Sequence, residues 1–152
     1  MRNIRRIAPL MVLPLLAACA SILGSDSIVG EWVHHIESRH GPWNRHEIRL
    51  ELRADGSYTW GTTGHAEWGR PGDHLLGYSR EHGVYEVEGD SLFLSAQRQE
   101  VWDYLTGQYE SDLTGQPTAR YRARASASRL ILDFTSYPLD APEETRMVLR
   151  RD

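Results

Sequence analysis

One segment fixes the kind of fold this chain adopts. Residues 45–53 place Ile48, Leu50 and Leu52 on one side of a two-residue repeat. Arg45, Glu47, Arg49, Glu51 and Arg53 fall on the other side, with alternating sign. An extended strand turns successive side chains to opposite faces, so this segment reads as an antiparallel strand with one dry and one wet face. A helical period would scatter the same residues around a cylinder.

The strand runs into Ala54, Asp55 and Gly56, then Tyr58 and Trp60. A two-residue loop would pair Leu52 with Thr59 and turn both aromatics outward. A three-residue loop with Gly56 left-handed pairs Leu52 with Tyr58 and Leu50 with Trp60, all on one face. A slip of one residue flips every side chain, so the second register is expected. A second hairpin turns at Gly89-Asp90, with Leu92 and Leu94 opposite Val87 and Tyr85. A third turns at Ala127-Ser128 and sets Tyr121, Ala123 and Ala125 against Phe134, Leu132 and Leu130. It also sets Arg122 across from Asp133, a favourable outer pair. With an opening strand near residues 28–37, these make an antiparallel meander. Residues 140–144 offer a helix start, but Met147 and Leu149 alternate inward. A closing strand is preferred, since it removes an exposed edge. Residues 61–77 and 100–117 read as long loops.

At 152 residues the chain fits one domain, and its charged fraction of 25% suits a globular fold. Its formal charge of −4 advertises no nucleic-acid surface. All 17 basic residues are arginine, which excludes Schiff-base and phosphate-loop lysine chemistry.

The N-terminus carries Arg2, Arg5 and Arg6, then an apolar run from Ile7 to Ala18. That run is shorter than the ~20 residues a spanning helix needs, and it reads as a secretory signal. Leu16, Ala17, Ala18 and Cys19 then resemble a bacterial lipobox. The resemblance implies a signal peptide over 1–18, cleavage before Cys19 and lipidation of that cysteine. Residues 19–27 become a tether and 28–152 the folded domain. The protein is then anchored to a membrane by acyl chains, palmitate among them, without spanning it. Ala20 is not the aspartate that marks inner-membrane retention, which points to the outer membrane, facing the periplasm. Cys19 is the only cysteine, so the domain has no internal disulfide. Without the signal, 14 arginines face 21 acids, a net −7, so the anchor is the lipid and not attraction to anionic headgroups.

Gly30-Glu31-Trp32 opens the first strand. Leu50, Leu52, Asp55, Gly56 and Tyr58 follow, then Gly83, Tyr85, Val87, Gly89, Asp90, Leu92 and Leu94, and finally Leu149 to Arg151. This ordered set resembles the small bacterial lipocalin-like lipoproteins across residues 28–151. The resemblance implies an all-β fold, an up-and-down meander closing into a barrel of about eight strands. It also implies that Trp32 plugs the closed end, and that the interior is filled or holds one small ligand.

Several features are weighed against plainer readings. Gly89-Asp90-Ser91-Leu92 spells an esterase nucleophile motif, but it joins two strands and no histidine follows His82. The seven histidines, His34 to His82, lie within 49 residues, yet none are spaced as a metal pair on one element. No metal, cofactor or enzymatic activity is expected. Trp32, His34, His46, Tyr58, Trp60 and Tyr85 are candidate lining residues for a small apolar or amphipathic ligand. Trp43 and Trp68 lie in Gly/Pro-rich loops and are candidate contact residues. Two functions follow: a lipid-anchored binding module, or a non-enzymatic envelope protein, inhibitor or assembly accessory, acting on a protein partner through its loops.

Overall fold

A computed structural model of the chain describes residues 25–37, 45–66, 74–137 and 141–152. Cys19, Trp43 and Trp68 lie outside these residues. Among the described residues a single helical turn, α1 (Ser25–Ile28), precedes nine strands. These are β1 (Gly30–Glu37), β2 (Arg45–Leu52), β3 (Ser57–Ala66), β4 (His74–Glu88) and β5 (Ser91–Asp103). Then come β6 (Gly107–Asp112), β7 (Ala119–Ala125), β8 (Arg129–Ser136) and β9 (Glu143–Arg151).

All ladders are antiparallel, in the order β4-β3-β2-β1-β9-β8-β7-β5-β6, and β4 also bonds β5. That last pairing closes the sheet into an up-and-down barrel of eight strands, with β6 as an addition. β5 gives residues 91–94 to β7 and residues 98–103 to β6. β6 and β7 therefore share one position in the circuit, interrupted by residues 113–118.

The three hairpins form in the expected registers. Leu50 lies opposite Trp60 and Leu52 opposite Tyr58, with Gly56 at φ +83° in the turn. Asp55 Oδ1 accepts from Ser57 N at 2.8 Å and Ser57 Oγ at 2.6 Å, and these bonds hold its carboxyl below the usual range. Tyr85 lies opposite Leu94 and Val87 opposite Leu92. Ala123 pairs with Leu132 and Ala125 with Leu130, around a turn closed by Ser126 N donating to Arg129 O at 2.8 Å. The C-terminal segment is the closing strand, with Leu149 buried.

Three expectations are corrected. Residues 61–77 and 100–117 are largely strand, since β3, β4 and β5 run on as long arms and β6 pairs with the last of them. Arg122 does lie opposite Asp133, but its guanidinium bonds Asp90 at 2.7 Å. Asp133 instead takes Arg146, its direct partner on β9, at 2.6 Å and Arg124, its diagonal neighbour on β7, at 2.8 Å. Ile28 belongs to α1, not to the first strand.

One half of the barrel is packed solid. Ile28, Trp32, Leu50, Leu92, Leu130, Leu132, Leu149 and Ala123 are fully buried, with Leu52, Tyr58 and Leu94 nearly so. Trp32 Nε1 donates to Ile28 O at 2.8 Å, which ties α1 under the barrel floor. The Arg151 guanidinium lies 4.3 Å from the centre of the Trp32 ring and donates to Ser27 O and Val29 O at 3.2 Å each. Gly83 sits where β4 and β5 press together at a register shift. A Cβ there would lie 2.1 Å from Ser95 O and 2.8 Å from Tyr58 Cε1, so only glycine fits.

Candidate functional site

The strand alternation that fills the floor continues past it and changes character. Going up from Leu50, the inward positions of β2 are Ile48 and His46; from Trp60, those of β3 are Thr62 and Gly64. From Gly83, those of β4 are Glu81, Ser79 and Gly77, opposite Gln99, Val101 and Asp103 of β5. β7, β8 and β9 contribute Tyr121, Phe134, Ser136 and Thr145. Most of these side chains are polar or small, and nearly all are half-buried where their counterparts on the floor are buried. Among the described residues, the upper half of the barrel is thus less closely packed than the floor.

His46, Thr62, Gly64, Gly77, Ser79, Val101 and Asp103, with Tyr78 and Trp102, line a pocket of about 220 Å³. At ~30 Å³ per water this is about seven waters, below the ~300 Å³ where drug-sized sites begin. It suits a headgroup or short chain, not a long acyl tail. Gln99 Nε2 donates to Ser79 Oγ at 3.1 Å and stiffens one wall. Below the pocket Trp60 stacks on Tyr121 at 5.7 Å between ring centres, and Tyr121 meets Phe134 edge-on at 5.4 Å. The Tyr58 hydroxyl donates to Glu81 Oε1. Burial, then the Glu81 carboxylate, pushes the phenols of Tyr58 and Tyr121 up.

A larger cleft of about 640 Å³ lies along the β1–β9 seam, lined by His34, His35, Val33, Val148, Arg150, Arg151 and Asp152. Only Trp32–Arg151 and Val33–Arg150 are paired across this seam. Above them the His34 ring takes over, with Nδ1 2.8 Å from Val148 O. A carbonyl only accepts, so the neutral ring carries its proton on Nδ1. The cleft is walled largely by charged and imidazole side chains, whereas the smaller pocket presents mostly apolar surface, so the smaller pocket is the better site for an apolar ligand.

The candidate residues fall into two groups. Trp32 and Tyr58 are closed off in the floor, and Tyr85 packs beside them, its hydroxyl donating to Arg53 O at 2.8 Å. Trp60 and His46 face the lumen, while His34 serves the seam, so the two histidines line different openings. Among the described residues no three His, Cys, Asp or Glu side chains converge as a metal cluster. Glu81, Ser79 and Gln99 carry no site signal in the sequence, and Tyr121 is legible there only as an inward strand residue. Extending the Tyr85–Val87 alternation backwards through residues 83, 81 and 79 would have found two of them.

Several large apolar side chains are exposed among the described residues at this end. Ile36 is 40% exposed, Tyr104 52%, Leu105 76%, Tyr109 52% and Tyr137 69%, and all lie at the open end. No helix among the described residues is long and apolar enough to cross a membrane. No family model matches the chain, and no curated protein is similar to it in sequence.

Proposed function

We propose that this is a non-enzymatic lipoprotein of the bacterial envelope, anchored through Cys19 at the outer membrane, whose barrel binds a small apolar or amphipathic ligand at its open end. The observation that carries the binding reading is the contrast inside one barrel: a packed floor beneath an upper half lined by half-buried, mostly polar or small residues, with a pocket of about 220 Å³ among them. A barrel needed only as a structural block gains nothing by packing one end of its interior loosely. The lipobox-like segment supports the anchor.

Two measurements test this reading. Growth with an alkyne-tagged palmitate should label the full chain and fail to label Cys19→Ser. The purified full chain in nanodiscs should shift its Trp60 indole resonance on titration with short-chain alcohols, acids or ammonium compounds. No response to any of them would overturn the binding reading.

The contact reading has one observation of its own, the apolar mouth. Leu105→Ser with Tyr137→Ser should release a specific envelope partner in a pull-down if that mouth is what the partner grips.

A further inference from the structure

Glu81 is the one charged side chain on the inward face at mid-height of the barrel, two residues below Ser79 of the pocket wall. Its neighbours across the ladders are Trp60 on one side and Gln99 on the other. Directly opposed residues on one face stand about 5 Å apart at Cβ, which makes Glu81 and Trp60 neighbours on the inward face. Tyr58 donates one hydrogen bond to it, from the floor side, and takes only Oε1. Glu81 forms no ion pair among the described residues. The arginines of the barrel strands point outward or, as Arg151, cap the floor from below. Asp103 adds a second carboxylate at the lip, though its Oδ1 is taken by Leu105 N at 2.8 Å.

An ionised carboxylate inside a protein is costly unless something cationic or strongly donating meets it. A glutamine would hold the Tyr58 hydroxyl equally well without bringing a charge inside. Glu81 shares the inward face with Trp60, whose ring stacks on Tyr121. Aromatic faces carry negative quadrupole density, and they attract ammonium groups that have shed part of their water. The small pocket above admits a headgroup. No third ligand is at hand for a metal ion among the described residues.

We infer that the ligand of the open half carries an organic ammonium group, held by the Glu81 carboxylate as counter-charge and by the Trp60–Tyr121 stack as an aromatic wall. This deepens the binding reading above and rests on it. The ligand class is a small amine or quaternary ammonium compound, with its uncharged part pointing to the mouth.

The test compares three probes of nearly equal shape on the full chain in nanodiscs: choline, its uncharged carbon isostere 3,3-dimethylbutanol, and the anion 3,3-dimethylbutyrate. Trp60 indole shifts report occupancy. Choline should bind at least tenfold tighter than the alcohol, and the anion weaker than both. Glu81→Gln should bring choline to within twofold of the alcohol while leaving the alcohol unchanged. Tyr58→Phe keeps the carboxylate and should keep the preference, so it serves if the glutamine variant does not fold. If the alcohol binds as well as choline, the ammonium inference falls while the binding reading stands. If none of the three binds, and longer-chain compounds also fail, both fall together.

Discussion

The two halves of this barrel are built by the same strands with the same alternation, yet one is a core and the other a lumen. Below Trp60 the inward residues are Leu50, Leu52, Leu92, Leu94, Leu130, Leu132 and Leu149, closed off by Trp32 and α1. Above it they are Thr62, Ser79, Gln99, Ser136 and Thr145, with Glu81 at the boundary. Backbone hydrogen bonding is equally complete in the arms of β4 and β5 above and below. The difference teaches that ladders and a few polar and ring contacts hold the upper half in shape, while apolar burial below supplies most of the stability.

The sharpest break of this comparison is Trp32→Ala. It removes a fully buried ring, the Ile28 hydrogen bond and the stacking surface of Arg151. We expect a loss of about 3–5 kcal/mol in urea unfolding. An equal loss from Trp60→Ala, which truncates a half-buried ring facing the lumen, would show that the two halves do not differ as described.

Next comes Gly83→Ala. Its added methyl meets backbone oxygen at Ser95 and the edge of Tyr58, so neither neighbour yields easily. About 1–3 kcal/mol of destabilisation is expected by thermal melting. Gly89, with open space around its Cβ position, offers a contrast at the turn, where only the φ of +61° opposes a side chain.

The same division governs what can be read from the residues alone. The lower half announces itself: Leu50, Leu52, Tyr58 and Trp60 alternate with charges, and Asp55-Gly56 and Gly89-Asp90 mark the turns. The registers of three hairpins follow from those few residues. The upper half is hidden for a physical reason. Period two is visible only where an apolar face contrasts with a polar one, and a wet lumen replaces the apolar face with Thr62, Gly64, Ser79 and Gln99. Residues 61–77 and 100–117 therefore look like loops although β3, β4, β5 and β6 take up most of them. Glu81 was invisible for the same reason: a glutamate next to Arg80 and His82 reads as surface until the alternation is carried back from Tyr85. The upper half is the least legible part of the barrel, because its polar inward lining is what erases the strand signal.

A smaller effect sharpens the contrast from the lumen side. Gln99→Leu breaks the bond to Ser79 Oγ and places an alkyl group on the wall. In a packed core this swap would leave an orphaned hydroxyl, but here water reaches it. The change in unfolding free energy should stay within about 0.5 kcal/mol, while the pocket shrinks and probe binding weakens. A loss above ~2 kcal/mol would mean that the upper half is dry.

The smallest expected effect sits on the outer face where the halves meet. Asp133 lies between Leu132, fully buried in the floor, and Phe134, half-buried against Tyr121. Its carboxylate takes Arg146 Nε at 2.6 Å and Arg124 Nη2 at 2.8 Å, tying β8 to both neighbours. The Arg146 hydrogen bond, then the charges of both guanidiniums, holds its carboxyl below the usual aspartate range. A folded value below the unfolded one means that the unfolded chain takes up the proton first as pH drops. The stabilisation is therefore complete above the ordinary value of ~3.9 and is lost as pH falls through the depressed one. Both arginines are at least half exposed, so water and salt screen the triad and keep its effect small. Asp133→Asn should lower the urea midpoint slightly at pH 7 and low salt, and the gap to wild type should close at pH 2.5 and in molar salt. A gap that persists under both conditions would assign the effect to packing of β8 at the boundary and not to charge.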